Sequence, residues 1–314
     1  MGQASGASDS HSRLSYGAML VFAAAIWGFA TVVIKDVVYD IGPLWLVGLR
    51  MLSAGLVLAL VFYRRLTRAH RRGRLRDHLR AGALIGVFTA TAYLLNTYGL
   101  VYTTVAKSSF LTSTYVVLTP FLTWMRVKKR PYLRNYAAAV VCVCGIALIT
   151  LGGEALDGGL LSIGLGDAIT LASAVMFAFE VTAGAVLGPG RDIGVITTAQ
   201  FLVAGVIALV VAVVFEAPPA VEALLAPHAL AGLAYLVLAG TCLTMLLQNK
   251  GLAHTDASLG SLLLSTESVF GALFAVMFVG EAFTPAMVVG FVLVFASVVV
   301  SECAPVSHKG RAER

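Results

Sequence analysis

The sequence predicts an all-α polytopic membrane protein, with ten transmembrane helices arranged as two inverted five-helix repeats. Three observations carry this expectation. Of 314 residues, 59% are hydrophobic and only 12% are Asp, Glu, Lys or Arg, whereas a soluble domain has about 25% charged residues to cover its core. The apolar residues fall in blocks of roughly 18 to 22, the length of helix that crosses about 30 Å of hydrocarbon. A stretch of the first half also recurs in the second half at an offset that follows an odd number of blocks.

In chain order, the blocks predict spans at 16–34, 43–62, 79–99, 106–125, 134–151, 163–183, 193–214, 228–249, 256–278 and 285–303. The first is read as a span rather than a cleaved signal, because no small-residue cleavage site precedes Lys35 and a second apolar block follows directly. The expected organisation is a cytoplasmic N-terminal tail 1–15, a first repeat 16–151, an outer connection 152–162, a second repeat 163–303 and a cytoplasmic C-terminal tail 304–314. Pro218-Pro219 and Pro227 bracket a short outer segment read as lying on the membrane surface.

Charge placement sets the expected orientation. The chain carries a net charge of +6, which on a soluble protein would suggest nucleic acid. Here the basic residues cluster in connections: with a cytoplasmic N-terminus, 19 of the 22 Lys and Arg fall on one side, leaving only Lys35, Arg50 and Lys107 elsewhere. Cytoplasmic loops attract such residues, so a plasma membrane location, in a bacterium the inner membrane, is expected, with both termini cytoplasmic. Nucleic acid is excluded as a partner. Membrane lipids and a small solute are the expected partners, the oligomeric state being left open. Cys142, Cys144, Cys242 and Cys303 lie in or at the ends of apolar blocks and are read as small packing residues, with no metal-site spacing.

Residues 94–125 and 246–277 are identical at eleven of 32 positions when shifted by 152, including Gly99/Gly251, Thr103/Thr255, Ser109/Ser261, Ser113/Ser265 and Thr114/Thr266. Five spans per copy force the second copy to enter the membrane from the opposite face. Inverted pairs of this kind recur in secondary transporters, because the two copies can exchange conformations around a central site.

Ala25-Ile26-Trp27-Gly28, Gly99-Leu100 with Ala106 and Ser109, Pro120, Gly251-Leu252, Ala257-Ser258, Ser261-Leu262 and Gly280-Glu281 give the chain its likeness. It resembles the drug/metabolite transporter superfamily, in the ten-span branch built from two EamA-type repeats. The resemblance implies a central cavity formed by the first four helices of each repeat, the fifth packing peripherally. It implies export of metabolites such as amino acids, or of drugs, with nucleotide-sugar and sugar-phosphate carriage as other activities of the group. Two departures stand out: the first-half counterpart of Gly280-Glu281 is Lys128-Lys129, and Glu267-Ser268 replaces a frequent Glu-Pro, predicting a straighter ninth span.

Charges within a span are costly and mark cavities or pairs. Arg50, mid-span, is a candidate for a substrate carboxylate or phosphate, or a counter-ion to Glu180 or Glu267. Glu267, among Ser265, Thr266 and Ser268, is a candidate for substrate amine binding or proton coupling; Glu180, read as close to Arg191 and an interface, is a second coupling candidate. Trp27, Tyr93, Asn96, Tyr115 and Gln248 are candidate cavity walls, each with core packing as the alternative. Tyr98 reads as an interfacial anchor and Asp167 as a helix-start acid. Lys35 and Lys107 are candidate vestibule cations, with snorkelling as the alternative, and Pro120 is a candidate gate bend.

A mixed set of one arginine, carboxylates and aromatics suits a zwitterion, so amino-acid export leads, with a drug or other metabolite exporter next. An intramembrane enzyme is the alternative outside transport, but neither HExxH nor GxSxG occurs. No cofactor or ATP-binding loop is evident, and a solute, proton or ion gradient is the expected energy source.

Overall fold

A computed structural model describes residues 4–128, 130, 133–151, 164–252, 254–255, 260 and 263–302, and these are helical apart from short connections. Ala257-Ser258, Ser261-Leu262, Lys129, Cys303, the outer connection 152–162 and the tail 304–314 lie outside the described residues. The chain runs through α1 (Ala4–Ile41), α2 (Pro43–Val61), α3 (Tyr63–Arg71), α4 (Leu75–Val101), α5 (Val105–Ser113), α6 (Tyr115–Val127) and α7 (Leu133–Leu151). It continues through α8 (Leu165–Leu187), α9 (Ile193–Phe215), α10 (Val221–Leu224), α11 (Pro227–Val237), a π-helical turn Leu238–Leu243, α12 (Thr244–Leu252), α13 (Glu267–Phe274), a second π-helical turn Ala275–Val279 and α14 (Pro285–Glu302).

Six continuous helical stretches among the described residues are long and apolar enough to cross a membrane: Ser15–Ile41, Pro43–Val61, Leu75–Val101, Leu165–Leu187, Ile193–Phe215 and Pro227–Leu252. Six of the ten expected spans are thus continuous helices of that length among the described residues. The span expected at 106–125 is broken at Thr114 into α5 and α6, and the remaining three appear as shorter apolar helices, Leu133–Leu148, Leu263–Val279 and Pro285–Val300.

Hydroxyls bond back to their own helix beside both breaks. At the first, Ser113 Oγ donates to Phe110 O (2.7 Å) and Thr114 Oγ1 to Leu111 O (2.7 Å). At the second, Thr266 Oγ1 donates to Leu263 O (2.6 Å) and Ser268 Oγ to Ser265 O (3.0 Å). Side chains that bond back to i−3 carbonyls take acceptors the backbone would use and bend the helix. The ninth span is interrupted at Thr266 by a single turn residue that keeps right-handed helical dihedrals. Pro120 sits within α6, six residues beyond the break in its own rod.

Helices α2 and α9 pack along their length, α4 packs on α8 and α9, and α7 on α14; α1 packs against α11, α12 and α13. Close crossings use small residues, as membrane helices must when lipid offers no hydrophobic drive to associate. A Cβ on Gly28 would lie 2.7 Å from Gly271 N, so that crossing of α1 and α13 admits only glycine. Outward faces stay apolar: Val206, Val210, Val213 and Val214 of α9 are all exposed, a helical stripe turned to lipid. Cys142 and Cys242 are buried as expected, whereas Cys144 is exposed, because two residues along α7 turn it to the opposite face.

The basic run after α2 forms its own helix, α3, instead of the plain connection expected from its charge. α6 ends at Lys128 with φ 59°, and the second π-helical turn ends at Gly280 with φ 73°, both left-handed caps. Glycine holds this conformation without strain while lysine does not. Lys128→Gly should therefore stabilise the protein by about 0.5–1 kcal/mol, measured as a raised thermal midpoint in detergent; an unchanged or lowered midpoint would show that the cap is not strained.

Candidate functional site

A cavity of about 620 Å³ lies within the bundle, walled by α1, α2, α4, α5, α6, α8, α9, α12 and α13. Trp27, Arg50, Tyr93, Asn96, Tyr115, Gln248, Glu267 and Glu180 all line it. Lys35, Lys107 and Pro120 do not. It runs from Ile34, beside the closed end of the bundle, to Gly188, Ile193, Asn249 and Leu252 at the other end.

Arg50 is 3% exposed. Its Nε donates to Thr241 Oγ1 (3.0 Å), its Nη2 donates to Gly240 O (3.2 Å), and its Cζ lies 5.1 Å from the Tyr93 ring centroid. Both oxygens come from the π-helical turn, whose wider register leaves carbonyls available to side chains. Gly240 O also accepts from Trp27 Nε1 (3.0 Å) and from the Thr244 hydroxyl (3.1 Å). Among the described residues no carboxylate lies within 4 Å of the guanidinium, so the expected direct pairing with Glu180 or Glu267 is not formed. Arg50 Nη1 makes no hydrogen bond among the described residues.

Glu180 faces the cavity and not an interface beside Arg191. Arg191 is held by both Asp77 oxygens (2.8 and 2.9 Å) and by Leu187 O (2.6 Å), and the hydrogen bond to Asp77 pushes its pKa above the ordinary value. Glu180 Oε1 instead accepts from Gln200 Nε2 (2.8 Å), which also donates to Thr89 Oγ1 (2.9 Å). Glu267 opens α13 just after the Thr266 break and has no hydrogen-bond partner among the described residues.

The aromatic and amide candidates hold the wall between these charges. Tyr93 and Phe177 meet edge to face at 5.1 Å, and Tyr115 lies 6.1 Å from Phe177. Asn96 Nδ2 donates to Thr112 Oγ1 (2.7 Å) and to Ser173 Oγ (3.5 Å), tying α4 to α5 and α8. Sequence reasoning missed Thr89, Phe177, Gln200 and the Gly240-Thr241 turn. A signal existed for Gln200, the one amide in an otherwise apolar α9; the π-helical turn left none.

The closed end is filled by buried apolar side chains, Val38, Ile41, Leu100 and Val105 among them, with polar caps around them. Lys35 Nζ donates to Leu100 O (2.7 Å), Val101 O (3.3 Å) and Thr103 O (2.9 Å), a cation on the carbonyl end of α4. Lys107 lies 3.5 Å from Asp167, which also accepts from Thr103 Oγ1 at 2.5 Å. Both lysines are thus spent on protein groups rather than lining an open vestibule, and Asp167 ties α8 to the end of α4 in addition to opening its own helix. Glu281 accepts from Val105 N (2.6 Å) and Ala106 N (3.1 Å), and Glu216 from Leu44 N (2.9 Å) and Trp45 N (3.0 Å). Tyr98 is partly exposed and meets Tyr102 (3.4 Å).

An all-α bundle with a lipid-facing exterior and a charged, aromatic-lined cavity between its helices defines a polytopic membrane protein that handles a solute inside the membrane. The chain belongs to the EamA-like transporter family, which it matches over residues 15–151 and again over 164–302. It is 27% identical over 225 residues to an uncharacterized transporter of Archaeoglobus fulgidus, covering 70% of this chain and 67% of that one. A solved crystal structure shares the fold with a TM-score of 0.59 over 93% of this chain and 96% of the other, at 16% identity. Membership of this family makes the chain a transporter, and among the described residues no group of three or more His, Cys, Asp and Glu is placed to hold a metal ion.

The three carbonyl bonds of Lys35 are made largely out of water, where hydrogen bonds to a charged group contribute about 1.5–3 kcal/mol. Lys35→Met should lower the thermal midpoint in detergent by an amount in that range, while Lys35→Arg keeps part of it. Equal midpoints for wild type and Lys35→Met would show that the cap contributes nothing.

Proposed function

We propose that the protein is a secondary transporter that exports a small amphipathic metabolite, an amino acid, by alternating access of two inverted five-helix repeats. The observation that carries this reading is Arg50, whose guanidinium is held in the cavity wall with Nη1 unbonded among the described residues, and with Glu180 and Glu267 on other walls. A buried guanidinium with a free donor edge accepts a carboxylate; a carboxylate elsewhere in the same chamber accepts an amine. A purely apolar compound would leave Arg50 Nη1 and Glu267 desolvated without partners among the described residues. Sugar phosphates and nucleotide sugars call for more positive charge, and Arg50 is the one Lys or Arg among the described lining residues.

Several features support the inverted ten-span arrangement. The family matches the chain twice. The breaks at Thr114 and Thr266, and the left-handed caps at Lys128 and Gly280, are each separated by the same 152 positions as the sequence repeat. The contacts α2 on α9, α5 on α13 and α7 on α14 each join equivalent rods of the two halves. In the plasma membrane, with the basic connections and both termini cytoplasmic, the closed end faces outward and the cavity reaches the cytoplasmic side. That state loads an exporter.

Glu267 is the proposed proton-coupling residue, since it lines the cavity at the head of a broken rod and has no hydrogen-bond partner among the described residues. Glu180 remains a second coupling candidate.

Counterflow in proteoliposomes against a labelled metabolite panel tests the transport reading. Arg50→Gln should weaken binding of carboxylate-bearing substrates by about tenfold or more, and Arg50→Lys by less, because lysine keeps the charge without the planar fork. Unchanged affinities in both variants, with normal membrane insertion, would reject recognition by Arg50. Glu267→Gln should abolish uphill transport driven by a pH gradient while exchange persists, since the amide keeps the size and cannot titrate. Wild-type substrate flux with no accompanying proton flux in the same vesicles would remove Glu267 from coupling.

A further inference from the structure

The chain leaves α2 at Phe62 and turns at once into the nine-residue helix α3. Residues 63–80 hold eight arginines, no lysine and a single acid, Asp77. Orientation in a membrane asks only for positive charge, from lysine or arginine alike. An all-arginine stretch suits a partner that accepts paired N–H groups, as a phosphate does. Arg65 is already engaged, 3.5 Å from Asp192 and 5.1 Å from the Phe62 ring, and Arg74 donates to Gly190 O (3.5 Å). Arg64, Arg68 and Arg71 are exposed and have no acid within 4 Å among the described residues. Their i, i+4, i+7 spacing makes them one stripe along α3.

Beside this stripe, an open groove of about 280 Å³ lies between α3 and the start of α4, lined by Tyr63, Leu66, Thr67, His70, Arg71 and Leu75. Its chemistry is divided. Leu66 and Leu75 are half-buried and apolar, while the side chains of Tyr63, His70 and Arg71 are donors with no hydrogen bond among the described residues. No acid lines the groove. Asp77, the acid nearest in sequence, is held through both oxygens by Arg191 (2.8 and 2.9 Å). A zwitterionic headgroup would therefore bring an ammonium with no counter-charge, whereas an anionic one brings only what the donors accept.

Apolar surface continues away from the groove on both flanking helices. Leu60 and Val61 end α2, Leu79 follows Leu75 by one turn of α4, and all three are exposed. A soluble phosphate would use the donors and leave the apolar wall idle; a phospholipid uses both.

We propose that the groove between α3 and α4 binds an anionic phospholipid, its phosphate taken by Arg71, Tyr63 and His70 and its glycerol end laid on Leu66 and Leu75. Arg64 and Arg68 add attraction alongside. The proposal depends on this end of the bundle lying at the membrane surface and not on which solute the cavity takes.

Native mass spectrometry of the full-length protein from detergent tests it, with phosphatidylglycerol and phosphatidylcholine of identical acyl chains and soluble glycerol 1-phosphate as probes. Wild type should bind its first phosphatidylglycerol about tenfold or more tightly than phosphatidylcholine. The double variant Arg68→Gln/Arg71→Gln should weaken phosphatidylglycerol by about tenfold or more and leave phosphatidylcholine within about twofold. Arg71→Lys should lose less, since the charge stays and only the planar fork goes. Lys128→Gln/Arg130→Gln, an exposed basic pair on another connection, should keep phosphatidylglycerol within about twofold of wild type. Equal losses from the two double variants would show diffuse charge and no site. Equal affinities of wild type for the two lipids overturn the proposal without any variant, and glycerol 1-phosphate binding as tightly as phosphatidylglycerol would sink the phospholipid assignment.

Discussion

A guanidinium buried between membrane helices is costly unless its protons and charge are met, and the way Arg50 is met organises the centre of the bundle. No acid touches it among the described residues; instead a hydroxyl, a backbone carbonyl and an aromatic face divide the task. An ion pair would have neutralised the charge within the protein and left little for a ligand. Neutral acceptors satisfy part of the donor fork and leave the positive charge uncompensated at contact distance, a state suited to an anionic group that comes and goes. The same Gly240 carbonyl accepts from Trp27 and Thr244, so α1, α2 and the π-helical turn meet at a single oxygen. Local widening of one helix is thus what allows the arginine to be buried there.

Carboxylates placed on backbone amides secure the closed end. Glu216 on the start of α2 and Glu281 on the start of α5 each accept from two successive N–H groups, where the helix dipole favours negative charge. Lys35 does the converse on the carbonyl end of α4. Glu216 and Glu281 lie in the second half of the chain and cap helices of the first, so opening this end uncovers orphan amides and their caps together. Exposure to water offsets much of that loss, since water can satisfy the same groups. Seals of this kind hold firmly when dry and yield once wetted, unlike packed apolar side chains whose burial is favoured throughout.

How much of this was legible in the sequence varies with the physics involved. Apolar run length fixes where helices lie to within a few residues, because hydrocarbon thickness imposes it. The seven charged, aromatic and amide residues named for the cavity line it, and so does Glu180, which the sequence placed near an interface, since a polar side chain in a 20-residue apolar block has few other places to go. Lys35 and Lys107 were readable as residues near the ends of spans but not as caps, because their partners are backbone carbonyls and an acid 60 or more positions away. The breaks at Thr114 and Thr266 were hidden for a different reason: hydroxyls that bond back to their own helix carry the same sequence signal as hydroxyls that face a cavity.

The two broken rods both border the cavity. A continuous helix presents only side chains to its neighbours, since its amides and carbonyls are paired along the axis. Thr112 and Tyr115 flank the Thr114 turn and line the chamber, and Glu267, at the head of α13, lines the same space. Thr114 and Thr266 both keep right-handed helical dihedrals, so each rod is loosened by one turn at the chamber wall and its backbone stays helical. Filling the chamber with apolar bulk would strand the polar groups at both breaks. The hydroxyl residues beside each break are therefore part of the cavity's construction, even where they make no contact with its contents.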